Sequence, residues 1–187
     1  MPSEHNHAAD MESPLALAAL FYPAKSKRDF SLLKRFAEAR QAEGVRVGGL
    51  VQESLTDDAG CRVGIDAIEL DTGRRVAINR PTREHLASQA CSLDPSALTD
   101  ATSALRRAID QRMDLIVVEK FGEQEQEGRG LADDILQAVS EGIPTIVAVP
   151  DSAAEIWANF SGGLAQPLAY EMDALENWWR SVISDAP

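Results

Sequence analysis

At 187 residues and 44% apolar side chains, the chain has material for one domain with a sizeable core. Its formal net charge of -12 argues against nucleic acid or an anionic membrane as a partner. No apolar run approaches the roughly 20 residues that cross a bilayer, and no charged-then-apolar leader opens the chain, so a soluble cytoplasmic protein without membrane insertion is expected.

Residues 1–13 read as a polar, disordered tail, with His5 and His7 too mobile to make a strong metal clip. A single α/β domain is expected over residues 14–187. Residues 15–22, rich in Leu and Ala, predict a buried strand that Pro23 ends. Asp29 is the expected N-cap of a helix over 30–42, with Leu33, Phe36 and Ala37 on its apolar face and Gly44 stopping it. A second strand over 45–51 completes a β-α-β unit.

The first β-α junction is where a phosphate-binding loop would stand. Such a loop needs G-x-x-x-x-G-K-[ST], because glycines let consecutive N–H groups wrap a phosphate and the lysine reaches its oxygens. The corresponding window runs Pro23-Ala-Lys-Ser-Lys-Arg-Asp-Phe30, which has no glycine and puts Asp29 near the place of the lysine. Lys25, Lys27 and Arg28 keep it basic, so a weaker attraction for anions is expected there.

Two β-like segments, 62–70 and 75–78, flank the turn Asp71-Thr72-Gly73 and predict an antiparallel hairpin. Cys61 opens it as an ordinary thiol. Cys61 and Cys91 form no C-x-x-C pair, and His85 with Cys91 lacks a third ligand nearby, so residues 79–94 read as a connecting loop. Asp94-Pro95 then starts a helix carrying Leu98, Ala101, Leu105 and Ile109.

The central stretch follows. Residues 115–118, Leu-Ile-Val-Val, suit a strand buried on both faces. A charged, glycine-rich loop comes next, then a helix with Leu131, Ile135, Leu136 and Val139 on one stripe. In open α/β sheets ligands bind beyond the carboxyl ends of the strands, which makes this loop the expected site. Gly128, Arg129 and Gly130 read as an anion- or nucleotide-binding nest of outward N–H donors plus one guanidinium at a helix start. The bland alternative is a tight turn whose Arg129 pairs with Glu125 or Glu127. A rival reading assembles Glu119, Glu123, Glu125 and Glu127 around a divalent cation such as magnesium, as a hydrolase would.

Beyond it, residues 144–149 predict a strand, and Pro150-Asp151-Ser152 starts a short helix with Ile156, Trp157 and Phe160. A short strand over 164–168 and a helix over 172–183 close the chain. Leu175, Trp178, Trp179 and Val182 are spaced as a packing stripe, with a docking surface as the alternative. That helix and the hairpin's free edge are the surfaces for an expected homodimer. The alternation of elements predicts a three-layer α/β domain: a mainly parallel sheet, helices on both faces, and the antiparallel hairpin.

Three blocks resemble the small P-loop nucleoside-triphosphatases of thermophiles: residues 44–52, residues 62–73, and the strand and loop over 114–122. The whole chain more closely resembles the bacterial domain-of-unknown-function family 2478, through Val47-Gly-Gly-Leu-Val-Gln52, Cys91-Ser-Leu-Asp-Pro95, Phe121-Gly122, Glu125, Glu127-Gly-Arg-Gly130 and residues 157–164. The resemblance spans about residues 15–180 and implies a P-loop-type scaffold linked to molybdenum transport, with a nucleotide or an oxyanion such as molybdate as ligand. The family favours Asn at 119 and Lys at 123, where this chain has Glu in both. In active relatives of the fold, an acid at the strand end holds Mg²⁺ through water and a catalytic acid follows it. Glu119 suits the first role. Lys120 does not suit the second, because a protonated lysine takes no proton from water. The expected function is therefore non-catalytic binding and regulation.

Overall fold

The computed structural model describes residues 15–23, 29–79 and 95–184. Seven strands make one sheet: β1 (Leu17–Tyr22), β2 (Val47–Thr56), β3 (Arg62–Glu69), β4 (Arg75–Asn79), β5 (Leu115–Val118), β6 (Thr145–Pro150) and β7 (Gln166–Ala169). Their order is β4-β3-β2-β5-β6-β1-β7. β1 runs parallel to β6 and β7, and β5 runs parallel to β2 and β6. Only β2-β3 and β3-β4 pair antiparallel. Six helices are described: α1 (Leu32–Ala42), α2 (Pro95–Asp110), α3 (Glu123–Gln126), α4 (Ala132–Ser140), α5 (Ala154–Phe160) and α6 (Met172–Ser184).

Period-2 alternation on the central strands divides the core in two. Leu17 and Ala19 of β1 join Val147 and Val149 of β6 on one face, under Leu105, Ile109, Ile135 and Trp157 from α2, α4 and α5. Ala18 and Leu20 join Ile146 and Ala148 on the other face, under Leu33 and Phe36 of α1 and Leu175 and Trp178 of α6. The expected three-layer, mainly parallel architecture is thus the fold observed.

Two details differ from the sequence reading. β2 runs on to Thr56, because after Leu50 it leaves β5 and continues as the partner of β3 alone. The charged loop contains the one-turn helix α3. As the packing-stripe reading expects, Trp178 and Trp179 are 3% and 5% exposed and belong to the core.

The hairpin is fastened to α2 by charge. Arg107 of α2 donates to Asp71 (2.7 and 3.0 Å) and to the buried Glu69 (2.8 Å), which also accepts the Thr72 hydroxyl at 2.7 Å. Asp71 first, then Glu69, hold the Arg107 guanidinium above its ordinary pKa.

Candidate ligand site at the carboxyl edge of the sheet

The five parallel strands end at one edge. α1, which follows β1, packs on one face, whereas α4 and α5, which follow β5 and β6, pack on the other. The chain therefore diverges to opposite faces after the neighbouring strands β1 and β6, the topological switch point where ligands of open α/β sheets bind. Two connections leave this edge: the one that follows β1 and, after β5, residues 119–131.

In the first loop, Lys25, Lys27 and Arg28 lie outside the described residues, as do His5, His7, His85 and Cys91. Asp29 is described. The helix opens at Ser31, two residues later than expected, and Asp29 serves it from outside. Its Oδ1 accepts the Ser31 N–H (2.9 Å) and hydroxyl (2.6 Å), and its Oδ2 accepts from Arg35 at 2.6 Å. The Ser31 hydroxyl and N–H, helped by Arg35, hold the Asp29 carboxyl below the ordinary carboxylate range. A carboxylate of the chain itself thus stands at the start of α1.

Because the folded pKa is lowered, this contribution to stability is complete above the ordinary carboxylate range and fades as pH falls through the lowered value. Asp29 is half exposed, so Asp29→Ala is expected to cost about 1 kcal/mol or less near neutrality. Thermal unfolding along an acid series checks this: the parent and variant midpoints should converge at the acid end.

The second loop is anchored at both ends. The Glu119 N–H donates to the Leu50 carbonyl (3.0 Å) and the Phe121 N–H to the Ala148 carbonyl (2.8 Å), tying the loop to β2 and β6. Phe121 is fully buried, with its ring 5.0 Å from that of Trp157 and 5.1 Å from that of Phe160. Glu119 is buried at the strand end, and Lys120 beside it is exposed. Glu125 is buried as well, and both its oxygens are used: Oε2 accepts the Gly122 N–H at 2.9 Å and Oε1 accepts the Leu131 N–H at 3.1 Å.

The expected nest has a different geometry. The Gly128 N–H donates to the Glu125 carbonyl (3.0 Å) and the Arg129 N–H to the Gln124 carbonyl (2.8 Å), closing α3 instead of facing outward. The exposed Arg129 guanidinium pairs with Glu127. Gly128 and Gly130 have φ of +72° and +60°, values that the turn requires. The tight-turn alternative describes this loop, and the sequence reading mistook helix-closing donors for free ones.

Nor do the acids converge. Among the described residues no three His, Cys, Asp or Glu side chains gather as ligands for a metal ion. Glu119 closes a strand, Glu125 holds backbone N–H groups, Glu127 pairs at the surface, and Glu123 is exposed. Asp29 with Arg35, and Glu125 as a double acceptor, were not foreseen in these roles. A Gly-rich loop flanked by a buried acid was the available signal for the second.

Two solved structures share the fold. A human cancer-related nucleoside triphosphatase in solution superposes with a TM-score of 0.66 at 18% identity, covering 91% of this chain and 99% of that one. THEP1 from the hyperthermophile Aquifex aeolicus gives a TM-score of 0.57 at 17% identity, over 83% and 88% of the two chains. By sequence, the chain is 42% identical over 171 residues to the molybdenum import ATP-binding protein ModC 2 of Bradyrhizobium diazoefficiens. The match takes in 91% of this chain but 19% of that relative, so the chain spans about a fifth of its length. The model of the family described as "Protein of unknown function (DUF2478)" matches residues 17–178, and the chain belongs to that family.

Proposed function

We propose that this chain is a non-hydrolysing, regulatory binder of a small anion, either a nucleotide or an oxyanion such as molybdate, on the scaffold of the small nucleoside triphosphatases. The observation that carries the reading is the Asp29 cap. Where a phosphate-binding loop would present glycine N–H groups and a lysine, this chain presents its own carboxylate, held by Ser31 and Arg35. A carboxylate there repels a triphosphate from the position that hydrolysis needs. Glu119 stands where an acid holding magnesium would be, but it is Lys120, unable to take a proton from water, that follows it in place of a second acid.

The anion contact is assigned first to Lys25, Lys27 and Arg28, the basic run before Asp29. Arg129, with Gly128 and Gly130, comes second, because its guanidinium must leave Glu127 to serve. The molybdenum link rests on the relative whose name is a molybdenum import ATP-binding protein and of which a region like this chain is one part. A companion that reports intracellular anion to an importing ATPase fits that arrangement.

The test is direct. With ATP or GTP and Mg²⁺ the purified chain should show no turnover. Calorimetry with molybdate and with ATP should show binding that a Lys25/Lys27/Arg28 triple alanine variant weakens more than Arg129→Ala does. Magnesium-dependent turnover near one per second, ordinary for an enzyme, overturns the reading. So does the absence of binding by both anions.

A further inference from the structure

A cleft of about 380 Å³ lies between Leu50, Ala67, Ile78, Ala101 and Val118 on one side and the 119–131 loop, with Leu131, on the other. Its size lies at the lower end of small-molecule pockets. Gln52 lines it too, two residues beyond Leu50 on β2 and so on the same side of the sheet. This side chain is half-buried, yet its carboxamide makes no hydrogen bond among the described residues. Gln124 lines the cleft as well and likewise shows no side-chain hydrogen bond among the described residues, whereas Gln41, Gln126 and Gln137 each donate to a neighbour. The Gln52 carboxamide offers one donor and one acceptor side by side.

The described side chains around the cleft carry more negative than positive charge, which disfavours the anions considered above. Among the described lining residues Lys120 is the one cation, against Glu119, Glu123 and Glu125. An oxyanion or phosphate would enter a net negative field. The apolar walls and the paired donor and acceptor instead suit an uncharged ring.

We propose that this cleft is a binding site, separate from the β1-α1 edge, for an uncharged planar heterocycle that carries an N–H donor next to a carbonyl or imine acceptor. That edge is common to the nucleobases, and a glutamine carboxamide pairs with it bidentately. Gln52 reads the edge, and the apolar walls take the ring.

The test uses the full chain, with adenosine and uridine as uncharged probes and molybdate and inorganic triphosphate as anionic ones. Calorimetry should show at least one nucleoside binding with a Kd of about 1 mM or tighter. Gln52→Leu, which keeps the shape but removes the paired edge, should weaken that binding about tenfold or more. Ala101→Phe, which fills the cleft, should abolish it, and this variant decides the matter where Gln52→Leu does not fold. Both variants should bind the anionic probes as the parent does. If neither nucleoside binds, or if either variant binds nucleoside as tightly as the parent, the site is not this cleft. A failure of molybdate and triphosphate to bind the parent would sink the anion reading and leave the cleft standing.

Discussion

Gly49→Ala should unfold this protein more readily than any other glycine-to-alanine change in it, by roughly 4 kcal/mol or more, at the exceptional end for a single substitution. Two costs add. Gly49 has φ of +101°, where a side chain is strained by about 1–3 kcal/mol. An added Cβ would also lie 2.1 Å from the Val117 carbonyl oxygen and 2.9 Å from its nitrogen. Those are backbone atoms of β5, which is paired to β2 on one side and to β6 on the other and has nowhere to retreat. Gly44 is the control. Its φ of +89° carries similar strain, but nothing lies within 4 Å of its Cβ position, so Gly44→Ala should cost only about 1 kcal/mol. Urea unfolding of both variants separates conformation from contact, and equal losses would remove the contact argument. The damage should reach the ligand edge, because the residue after Gly49 supplies the carbonyl that holds the Glu119 N–H.

That glycine also shows what a sequence can and cannot disclose. The apolar runs over 115–118 and 144–149 and the Asp71-Thr72-Gly73 turn made the parallel strands and the hairpin legible, since burial on two faces and turn chemistry are local properties. Nothing local says that Gly48 faces Ala108 of α2 or that Gly49 lies against β5. Likewise, residues 52–56 look too polar for a buried strand, and they form a half-exposed one because β3 pairs with them. The site was legible as a place but not as a set of roles. A run such as Glu-Gln-Glu-Gln-Glu does not reveal which acid turns inward. Gly128-Arg129-Gly130 has the composition of an anion nest, and only the carbonyls of Gln124 and Glu125 show where its donors go. The spacing of Trp178 and Trp179 already pointed to packing, and α1 and β1 supply the other side of that core.

Glu125→Ala is expected to cost about 2–4 kcal/mol, a large effect for a residue in a surface loop. The change strips the acceptor from two N–H groups at once, those of Gly122 at the start of α3 and Leu131 at the start of α4, and each donor left unpaired costs about 1–3 kcal/mol. The carboxylate is 7% exposed, so water replaces it poorly. Glu125→Gln should fall between parent and alanine, because one oxygen still accepts while the new NH₂ faces a donor. The sequence around it is built for this role. Gly130, with φ of +60°, leaves room where a Cβ would come within 2.3 Å of Glu125 Oε1, so Gly130→Ala should mimic part of the loss. Hydrogen exchange gives the residue-level check: the Gly122 and Leu131 amides should exchange much faster in Glu125→Ala, while those of β1 and β6 change only by the global loss of stability. A metal-ligand role predicts the opposite pattern, with unfolding of the metal-free protein unchanged and divalent-cation binding abolished. If Glu125→Ala leaves urea unfolding where it was, the double cap is not what holds the loop. If it behaves as expected, residues 119–131 form a rigid rim fixed by their own carboxylate, and any ligand at this edge must bind without Glu125.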